Sequence, residues 1–296
     1  MCLQKTIKLA KANGPRRMKH MDKNQRDAAT ARVRDFYDGP ADVIYRTTWG
    51  ENLHLGVPRT PKGSYDDAIR HTTELMASHV LLDRDSRVLD LGSGYGGPAG
   101  FLASTFGCHV TGLNLSAVEI EEAERRIKER GLVQLVSFDC GDFHELPYAD
   151  ESFDIVWSQD SLMYGADKRQ ILEEASRVLK PGGTIDFTDI LASRDLEPQD
   201  RERLYARVRT PEMWDKERYL KELTELGFVL KHIEDWSHHV AGSYSWARQR
   251  AIDMRGELES KVGAELVQRT LDGLAFWVDM AERGKVGWIM AVARKP

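Results

Sequence analysis

From residue 65 onward, short runs of apolar or β-branched residues alternate with longer segments that have the spacing of amphipathic helices. Such alternation is typical of a parallel sheet that carries helices on both faces. Five strands are predicted in this part of the chain: SRVLDL (86–91), CHVTGLNL (108–115), VQLVSFDC (133–140), FDIVWSQ (153–159) and TIDFTDI (184–190). The sequence therefore predicts an α/β fold built on a doubly wound sheet.

The C-terminal part departs from simple alternation. A helical pattern, ERYLKELTELG, leads to a strand, FVLKHIED (228–235), and the chain ends with another strand, VGWIMAVARK (286–295). We expect this last strand to pair antiparallel beside the preceding one, which gives a Rossmann-like, mainly parallel seven-stranded sheet. Between these two strands, residues 236–285 carry two helical patterns, and an insertion of this length predicts a helical cap over a ligand site.

Composition limits the classes of partner. The formal net charge of -5 argues against nucleic acid, which attracts proteins with a basic excess. The sequence contains no apolar run of about eighteen residues, the length that would indicate a membrane span. The three cysteines lack paired spacing, which suits a reducing, cytoplasmic compartment, and no cluster of His, Cys and acids has the spacing of a metal site. We expect a small-molecule partner and a monomer or homodimer.

The segment VLDLGSGYGG (88–97) brings a carboxylate next to a glycine-rich turn. In doubly wound sheets the ligand binds at the carboxyl ends of the strands, where Gly92 and Gly94 would lie. A phosphate at this turn would be repelled by Asp90. S-adenosylmethionine (SAM) carries a sulfonium and an ammonium instead, so the same carboxylate would attract it. The sequence therefore predicts SAM as the cofactor.

Two later strand ends fit the same cofactor. Asn114 is placed to bind ribose hydroxyls, a role more often taken by an acidic residue. Asp142 is placed to accept the adenine amino group, with Phe143 against the ring. The remaining cofactor-binding candidates are neighbours of these strand ends: Ser93, Leu115, Ser158 and Gln159.

These motifs carry a family resemblance. DLGSGYGG, GLNLS, GDFHELPYADESFDIVWSQDSLMY and RVLKPGG resemble class I SAM-dependent methyltransferases of small molecules. More narrowly, WGENLHLG, YGGPAGFL, WSQDSLMY, FTDI, DWSHHV and GKVGWIMA resemble sarcosine/dimethylglycine N-methyltransferases, which make glycine betaine. The resemblance implies a methyltransferase domain over 26–296, preceded by a flexible tail (1–25), with an N-terminal lid (30–64) and the helical insertion (236–285).

Methyl transfer to nitrogen moves positive charge from sulfur to nitrogen, so alignment and exclusion of water supply most of the catalysis. Aromatic faces stabilise a growing methylammonium by roughly 0.5 to 2 kcal/mol per contact. The aromatic candidates around the acceptor are Tyr45, Trp49, Tyr164, Tyr244 and Trp288.

A general base is needed if the amine arrives protonated, and an amino-acid acceptor also needs a partner for its carboxylate. His238, His239 and Arg248 are candidates for these two tasks. The resemblance adds His54, within the lid, and it places Gln159 and Asp160 beside both cofactor and acceptor.

Other acceptors and other functions stay open at this point. Phosphoethanolamine would require more than one Arg or Lys in the pocket, whereas a tocopherol-like ring or a lipid carbon would require a wide apolar mouth. A nicotinamide-dependent dehydrogenase, or a SAM-binding protein without transferase activity, would share much of the same glycine-rich pattern.

Overall fold

A computed structural model of the chain describes residues 20–60 and 63–296. Most of the predicted tail (1–25) therefore lies outside the described residues. The strands are β1 (Arg87–Leu91), β2 (His109–Asn114), β3 (Val136–Cys140), β4 (Phe153–Gln159), β5 (Leu179–Ala192), β6 (Val229–Asp235) and β7 (Val286–Arg294). They form a single seven-stranded sheet in the order β3-β2-β1-β4-β5-β7-β6.

Strand β7 is antiparallel to both of its neighbours, β5 and β6, and the pairs among β1 to β5 are parallel. The predicted fold class, including the antiparallel last strand, is confirmed. Because β1 and β4 are adjacent while the chain runs outward from β1 to β2 and β3, the order reverses between β1 and β4. A doubly wound sheet binds its ligand at this reversal, outside the carboxyl ends of the strands.

Eleven helices in the described part of the chain surround the sheet, and polar caps fix several of their starts. Ser64, Ser116, Asp167 and Asp215 each accept a hydrogen bond from a backbone N–H in the first turn of the helix that follows. The helices are α1 (Lys23–Tyr37), α2 (Pro40–Trp49), α3 (Tyr65–Ala77), α4 (Gly97–Phe106), α5 (Ala117–Glu129), α6 (Lys168–Val178), α7 (Pro198–Val208), α8 (Lys216–Glu225), α9 (Val240–Asp253), α10 (Arg255–Val262) and α11 (Ala264–Glu282). Across the described residues, none of the helices is both long and apolar enough to pass through a bilayer.

Several details differ from the sequence prediction, among them the extent of β5, which begins at Leu179 rather than at residue 184. Strand β3 starts three residues later than predicted, because Leu135 and Val136 donate backbone hydrogen bonds to Leu132 and form a turn there. The first helical pattern of the insertion forms two helices, α9 and α10, which are separated at Met254. Leu258 of α10 packs in one cluster with Ile44 of α2. Helix α7 was not predicted at all.

Candidate active site

The turn after β1 requires glycine. Gly92 and Gly94 have φ angles of 76° and 49°, a region that residues with a side chain rarely occupy. A Cβ atom at Gly92 would also collide with the side chain of Ser161. The backbone N–H groups of Gly92 and Ser93 donate to the Leu113 carbonyl at 2.8 and 3.2 Å, which fixes the turn against β2. The result is a rigid turn with little side-chain bulk at the carboxyl end of β1.

Asp90 lies directly below this turn as a buried carboxylate without a compensating charge. It is 2% exposed, and no group in the described residues hydrogen-bonds its Oδ2. Burial raises the pKa of Asp90 to about 7. A buried carboxylate that lacks a partner is unfavourable until a cation or donor reaches it. Asp90 therefore fits an ammonium group bound at the turn.

Glu119, which the sequence analysis did not identify, lies beside Asn114 at the end of β2. Nδ2 of Asn114 donates to Oε2 of Glu119 at 2.7 Å, and Oε1 of Glu119 is buried without a partner in the described residues. Burial raises the pKa of Glu119 to about 7, against the hydrogen bond from Asn114, which lowers it. The backbone N–H of Glu119 donates to the Ser116 hydroxyl at the start of α5, while its side chain turns inward. Together Asn114 and Glu119 offer oxygen acceptors for neighbouring hydroxyl groups.

Asp142 is held at the end of β3 by three donors. Its Oδ1 accepts from the backbone N–H of His144 at 2.9 Å and lies 2.5 Å from the ring Nδ1, while Oδ2 accepts from Thr30 at 3.2 Å. Burial raises the pKa of Asp142, but the interactions with His144 outweigh it and hold the pKa below its ordinary value. The carboxylate is thus ionised and fixed beside Phe143, where it can accept from an amino group.

Two adjoining cavities open above these strand ends. The first has about 910 Å³ of free space, the second about 410 Å³, in both cases including space open to solvent. Most of the predicted cofactor residues line the first cavity: Asp90, Gly92, Ser93, Gly94, Asn114, Leu115, Asp142, Phe143 and Gln159. Ser158 does not, since its hydroxyl bonds the Leu91 carbonyl and Ser161, which supports the strand ends from below.

Aromatic rings from α1, α2, α9 and the loop after β4 form part of the wall of the second cavity. Its aromatic residues are Tyr37, Tyr45, Trp49, Tyr164 and Tyr244. Tyr37, which the sequence analysis missed, donates its hydroxyl to that of Tyr164 at 2.5 Å. Because Tyr37, His54, Asp160 and Tyr164 also line the first cavity, the two cavities share a wall. A ligand group in one cavity would lie next to a ligand group in the other.

Arg207 brings a positive charge to the second cavity. It lies in the last turn of α7, with its guanidinium carbon 5.4 Å from the ring centroids of Tyr244 and Trp277. Its Nε and Nη2 are buried and have no hydrogen-bond partner in the described residues. Such a guanidinium is suited to binding a carboxylate through two parallel hydrogen bonds. The sequence offered no signal for it, since no helix was predicted between 191 and 216.

Asp160 occupies the shared wall and is fixed from two sides. Its backbone has a φ of 54°, its Oδ2 accepts from the N–H of Leu55 at 2.8 Å, and its Oδ1 accepts from Nε1 of Trp288 at 2.7 Å. Burial raises its pKa to about 6, although these hydrogen bonds lower it. Trp288 therefore lies behind Asp160 and lines neither cavity, contrary to its predicted contact with the acceptor.

His54 also lies in the shared wall. Its Nδ1 is 3.0 Å from the Leu55 carbonyl, so Nδ1 carries the proton of the neutral ring, and Nε2 is buried with no partner in the described residues. Burial lowers the pKa of His54 to about 4, although the bond to Leu55 raises it. At neutral pH the ring is uncharged and presents the lone pair of Nε2.

Gln159 is oriented by its amide oxygen. Its Oε1 accepts from Thr73 at 3.2 Å and from Nε1 of Trp157 at 3.1 Å. The amide Nε2 is buried without a partner in the described part of the chain, and Gln159 lines the first cavity only. It can therefore donate to a ligand in that cavity.

Besides Ser158 and Trp288, three more predicted residues lie outside both cavities. His238 and His239 form a short turn between β6 and α9, with their rings 3.8 Å apart, and burial followed by the charge of His238 lowers the pKa of His239 to about 4. Arg248 is on the exposed face of α9, whereas Tyr244 is on its buried face. The imidazole and the guanidinium that line the second cavity belong to His54 and Arg207 instead.

Replacement of Trp288 tests whether Asp160 must be held in place. Trp288→Phe keeps an aromatic ring but removes the donor to Asp160, a charged hydrogen bond worth roughly 1.5 kcal/mol or more, so we expect methyl transfer to fall by about tenfold. Steady-state kinetics with the acceptor varied would measure the effect. Trp236→Phe is the matched control, since its ring packs 5.0 Å from that of Trp288 but its Nε1 donates to Glu234. Equal losses in both variants would contradict a specific role for the Asp160 bond.

Comparison with known proteins agrees with this geometry. Residues 89–187 match the family model described as a methyltransferase domain. The chain is 37% identical to the glycine/sarcosine/dimethylglycine N-methyltransferase of Actinopolyspora halophila over 88% of its length, which covers 47% of that longer protein. It is 36% identical to the sarcosine/dimethylglycine N-methyltransferase of Halorhodospira halochloris, over 91% of the chain and 98% of that protein.

A solved structure supports the same relationship. The chain superposes with a TM-score of 0.82, at 29% identity, on a Galdieria sulphuraria protein provisionally assigned as a sarcosine dimethylglycine methyltransferase, with 88% of this chain and 98% of the other covered. The unpartnered carboxylate of Asp90 beside a glycine turn fits the cationic methionyl end of SAM, the cofactor of such enzymes. The chain belongs to the sarcosine/dimethylglycine N-methyltransferase family of SAM-dependent methyltransferases.

Proposed function

We propose that the chain methylates sarcosine and dimethylglycine, and that glycine betaine is its final product. The observation that carries this proposal is Arg207, whose unpartnered guanidinium reaches the aromatic second cavity. An N-methylated glycine has a carboxylate that matches Arg207 and a nitrogen that matches the aromatic faces. The names of the two relatives support the same acceptors.

The other acceptors fit the second cavity less well. Its only cationic side chain among the described residues is Arg207, whereas a phosphate dianion calls for more than one. Its free space, about 410 Å³ with the solvent-open part included, is less than half that of the first cavity. A small zwitterion suits such a space better than a fused ring or a lipid chain does.

The first cavity would hold SAM, which supplies a methyl group on a sulfonium centre. Asp90 would bind the ammonium group of the cofactor, and the amide of Gln159 would donate to its methionyl carboxylate. Asn114 and Glu119 would accept from the ribose hydroxyls. Asp142 would accept from the adenine amino group, with Phe143 against the ring. The unpartnered oxygens of Asp90 and Glu119 support these assignments.

The residues of the shared wall would then prepare the acceptor nitrogen. With the carboxylate bound by Arg207, the rings of Tyr37, Tyr45 and Tyr164 surround the amine and favour its cationic, methylated form. His54 takes the ammonium proton on Nε2 and leaves the nitrogen lone pair free, which requires the carboxylates of Asp160 and of the acceptor to raise the pKa of the ring above about 4. The carboxylate of Asp160 then lies in the same wall as the imidazolium and offsets its charge.

We further propose that residues 30–64 act as a lid and that residues 236–285 act as a cap. The hydrogen bond from the N–H of Leu55 to Asp160 ties the lid to the reacting centre. Tyr244 of α9 supplies the cap's contribution to the second cavity. Loss of water from the shared wall on closure would strengthen each of its electrostatic contacts.

An acceptor panel tests the proposed function. The purified chain would be incubated with methyl-labelled SAM and, separately, with sarcosine, dimethylglycine, phosphoethanolamine and a tocopherol precursor, and the products detected by mass. We expect label in dimethylglycine and betaine from sarcosine, and in betaine from dimethylglycine. Label only in one of the other two acceptors, or in none, would contradict the proposal.

Replacement of Arg207 tests the carboxylate contact directly. Arg207→Gln should raise the KM for dimethylglycine by about 10- to 100-fold, the loss expected for a charged hydrogen bond, with little change in SAM affinity. Arg203→Gln, one turn earlier on α7, is the matched control, because Arg203 packs over the ring of Phe276 and lies outside the second cavity. A normal KM in Arg207→Gln would place the acceptor carboxylate elsewhere.

A further inference from the structure

We propose that His79, His232 and Glu234 form a binding site for a divalent transition-metal ion of the zinc class, at the edge of the sheet and outside both cavities. Each of the three residues offers one ligand atom, and the three atoms lie within 4.8 Å of one another. This inference is independent of the acceptor. It concerns a part of the molecule that methyl transfer does not use.

The distances suit a shared ion. Oε1 of Glu234 is 2.5 Å from Nε2 of His232 and 3.7 Å from Nε2 of His79. Two ligand atoms bound to zinc at tetrahedral angles lie about 3.3 Å apart, which follows from zinc–ligand distances near 2.0 Å. The 3.7 Å distance is close to that value, whereas the 2.5 Å distance is a hydrogen bond between His232 and Glu234 that would have to lengthen by about 0.8 Å to admit the ion. The imidazole rings are stacked, 3.8 Å between centroids, so loading the ion requires the rings to turn out of this stack.

The backbone explains how residues so distant in sequence meet. Strand β6 is an edge strand of the sheet. Its pairing with β7 shifts register between Leu230 and His232. Such bulges re-aim the side chains next to them. His79 follows the C-terminal end of α3, where its N–H donates to the Met76 carbonyl. The sequence pattern alone could not reveal this cluster, because its ligands come from two separate elements.

The ligand set favours a transition metal over calcium or magnesium, because two of its three atoms are imidazole nitrogens. The three side chains are 26%, 34% and 41% exposed, so an ion can reach them from solvent and water can complete its coordination.

A metal at this site would fasten the edge of the sheet. It would link β6 to the turn that follows α3, two segments joined here by side chains only. The second oxygen of Glu234 is already fixed, since Nε1 of Trp236 donates to Oε2 at 2.7 Å. This bond orients Oε1 toward the imidazoles in the way that outer hydrogen bonds orient metal-binding carboxylates.

The test uses the full chain, freed of any affinity tag and of metal. Zn²⁺ titration by calorimetry should show one ion per chain and a rise in Tm on the order of 2 to 5 °C. Co²⁺ should give the visible spectrum of a site with nitrogen ligands. His79→Ala and Glu234→Gln should lose the Tm rise and weaken Zn²⁺ binding by at least tenfold, while circular dichroism shows them folded.

Controls separate this site from other metal-binding groups on the surface. His109→Ala and Cys140→Ser remove an exposed histidine and an exposed thiol elsewhere, and both should bind Zn²⁺ as the unmodified chain does. Two results would overturn the proposal: no binding of Zn²⁺ or Co²⁺ to the unmodified chain, or unchanged binding in His79→Ala and Glu234→Gln.

Discussion

Asp90→Asn is expected to stabilise the cofactor-free chain at pH 8 while it weakens SAM binding. The two effects have one cause, a carboxylate that is buried without a partner until an ammonium group arrives. The amide has nearly the same volume, so packing around β1 is preserved. Loss of the charged hydrogen bond should raise the Kd for SAM by roughly 10- to 150-fold, or about 1.5 to 3 kcal/mol.

The pKa of Asp90 determines at which pH the Asp90→Asn substitution stabilises the folded chain. The pKa of Asp90 is about 7 in the folded chain, above the value of about 3.9 in an unfolded chain. The folded state therefore binds this proton more tightly, so the contribution of Asp90 to stability is fully present below about pH 4 and is lost as pH rises toward 7. The loss amounts to at most about 4 kcal/mol. Asp90→Asn should accordingly match the unmodified chain at pH 4 and exceed it at pH 8.

Asp186 provides a matched control. It lies on β5, in register with Trp157, which in turn lies beside Asp90, so the two carboxylates flank the same indole on one face of the sheet. Both oxygens of Asp186 are buried without a partner in the described residues, and burial raises its pKa well above the ordinary value. It lines neither cavity. Asp186→Asn should therefore stabilise the chain at pH 8 and leave SAM binding unchanged.

Denaturant unfolding at pH 4 and pH 8, with and without SAM, would measure stability, and calorimetry would measure the Kd. Weakened SAM binding in Asp186→Asn as well as in Asp90→Asn would attribute the effect to the sheet rather than to an ammonium contact. Unchanged SAM binding in Asp90→Asn would contradict the proposed role of this carboxylate.

Most residues that line the first cavity could be identified from the sequence because their geometry is local. A residue at the carboxyl end of a parallel strand points to the ligand edge whatever the rest of the fold does, so Asp90, Asn114 and Asp142 could each be placed from a short motif. Glu119 was missed because it lies in the first turn of α5, three residues after Ser116, where a glutamate side chain commonly bonds the backbone at the helix start instead. Only the packing of α5 decides that it turns toward Asn114.

The acceptor half depends on tertiary packing between elements far apart in the chain. Arg207 reaches the second cavity because α7 packs against α11, and nothing in its own sequence segment indicates this. Arg248 was a reasonable alternative on composition, but it lies on the exposed face of its helix. Trp288 was predicted to contact the acceptor, whereas its indole N–H donates to Asp160 and the ring lines neither cavity, a distinction that requires knowing where the indole N–H points.

His54→Asn is expected to have the largest effect on turnover. Asn can still donate to the Leu55 carbonyl as Nδ1 of the ring does, but it lacks the lone pair of Nε2. If Nε2 removes the ammonium proton, its loss should lower kcat at pH 7 by about 10²- to 10⁴-fold, the usual contribution of a general base. The Kd for SAM should stay nearly unchanged, because the cofactor contacts are made by other residues.

The pH profile distinguishes a base from a residue that only shapes the wall. The His54→Asn variant can use only acceptor molecules whose amine is already deprotonated in solution. Because that fraction rises about tenfold per pH unit, the rate should rise equally and approach that of the unmodified chain in alkaline solution. His71→Asn is the matched control, since Nδ1 of His71 lies 2.8 Å from the Val57 carbonyl but His71 lines neither cavity. A loss in His54→Asn that is the same at every pH would assign His54 to positioning, and the proton would then have to leave through Asp160 or solvent.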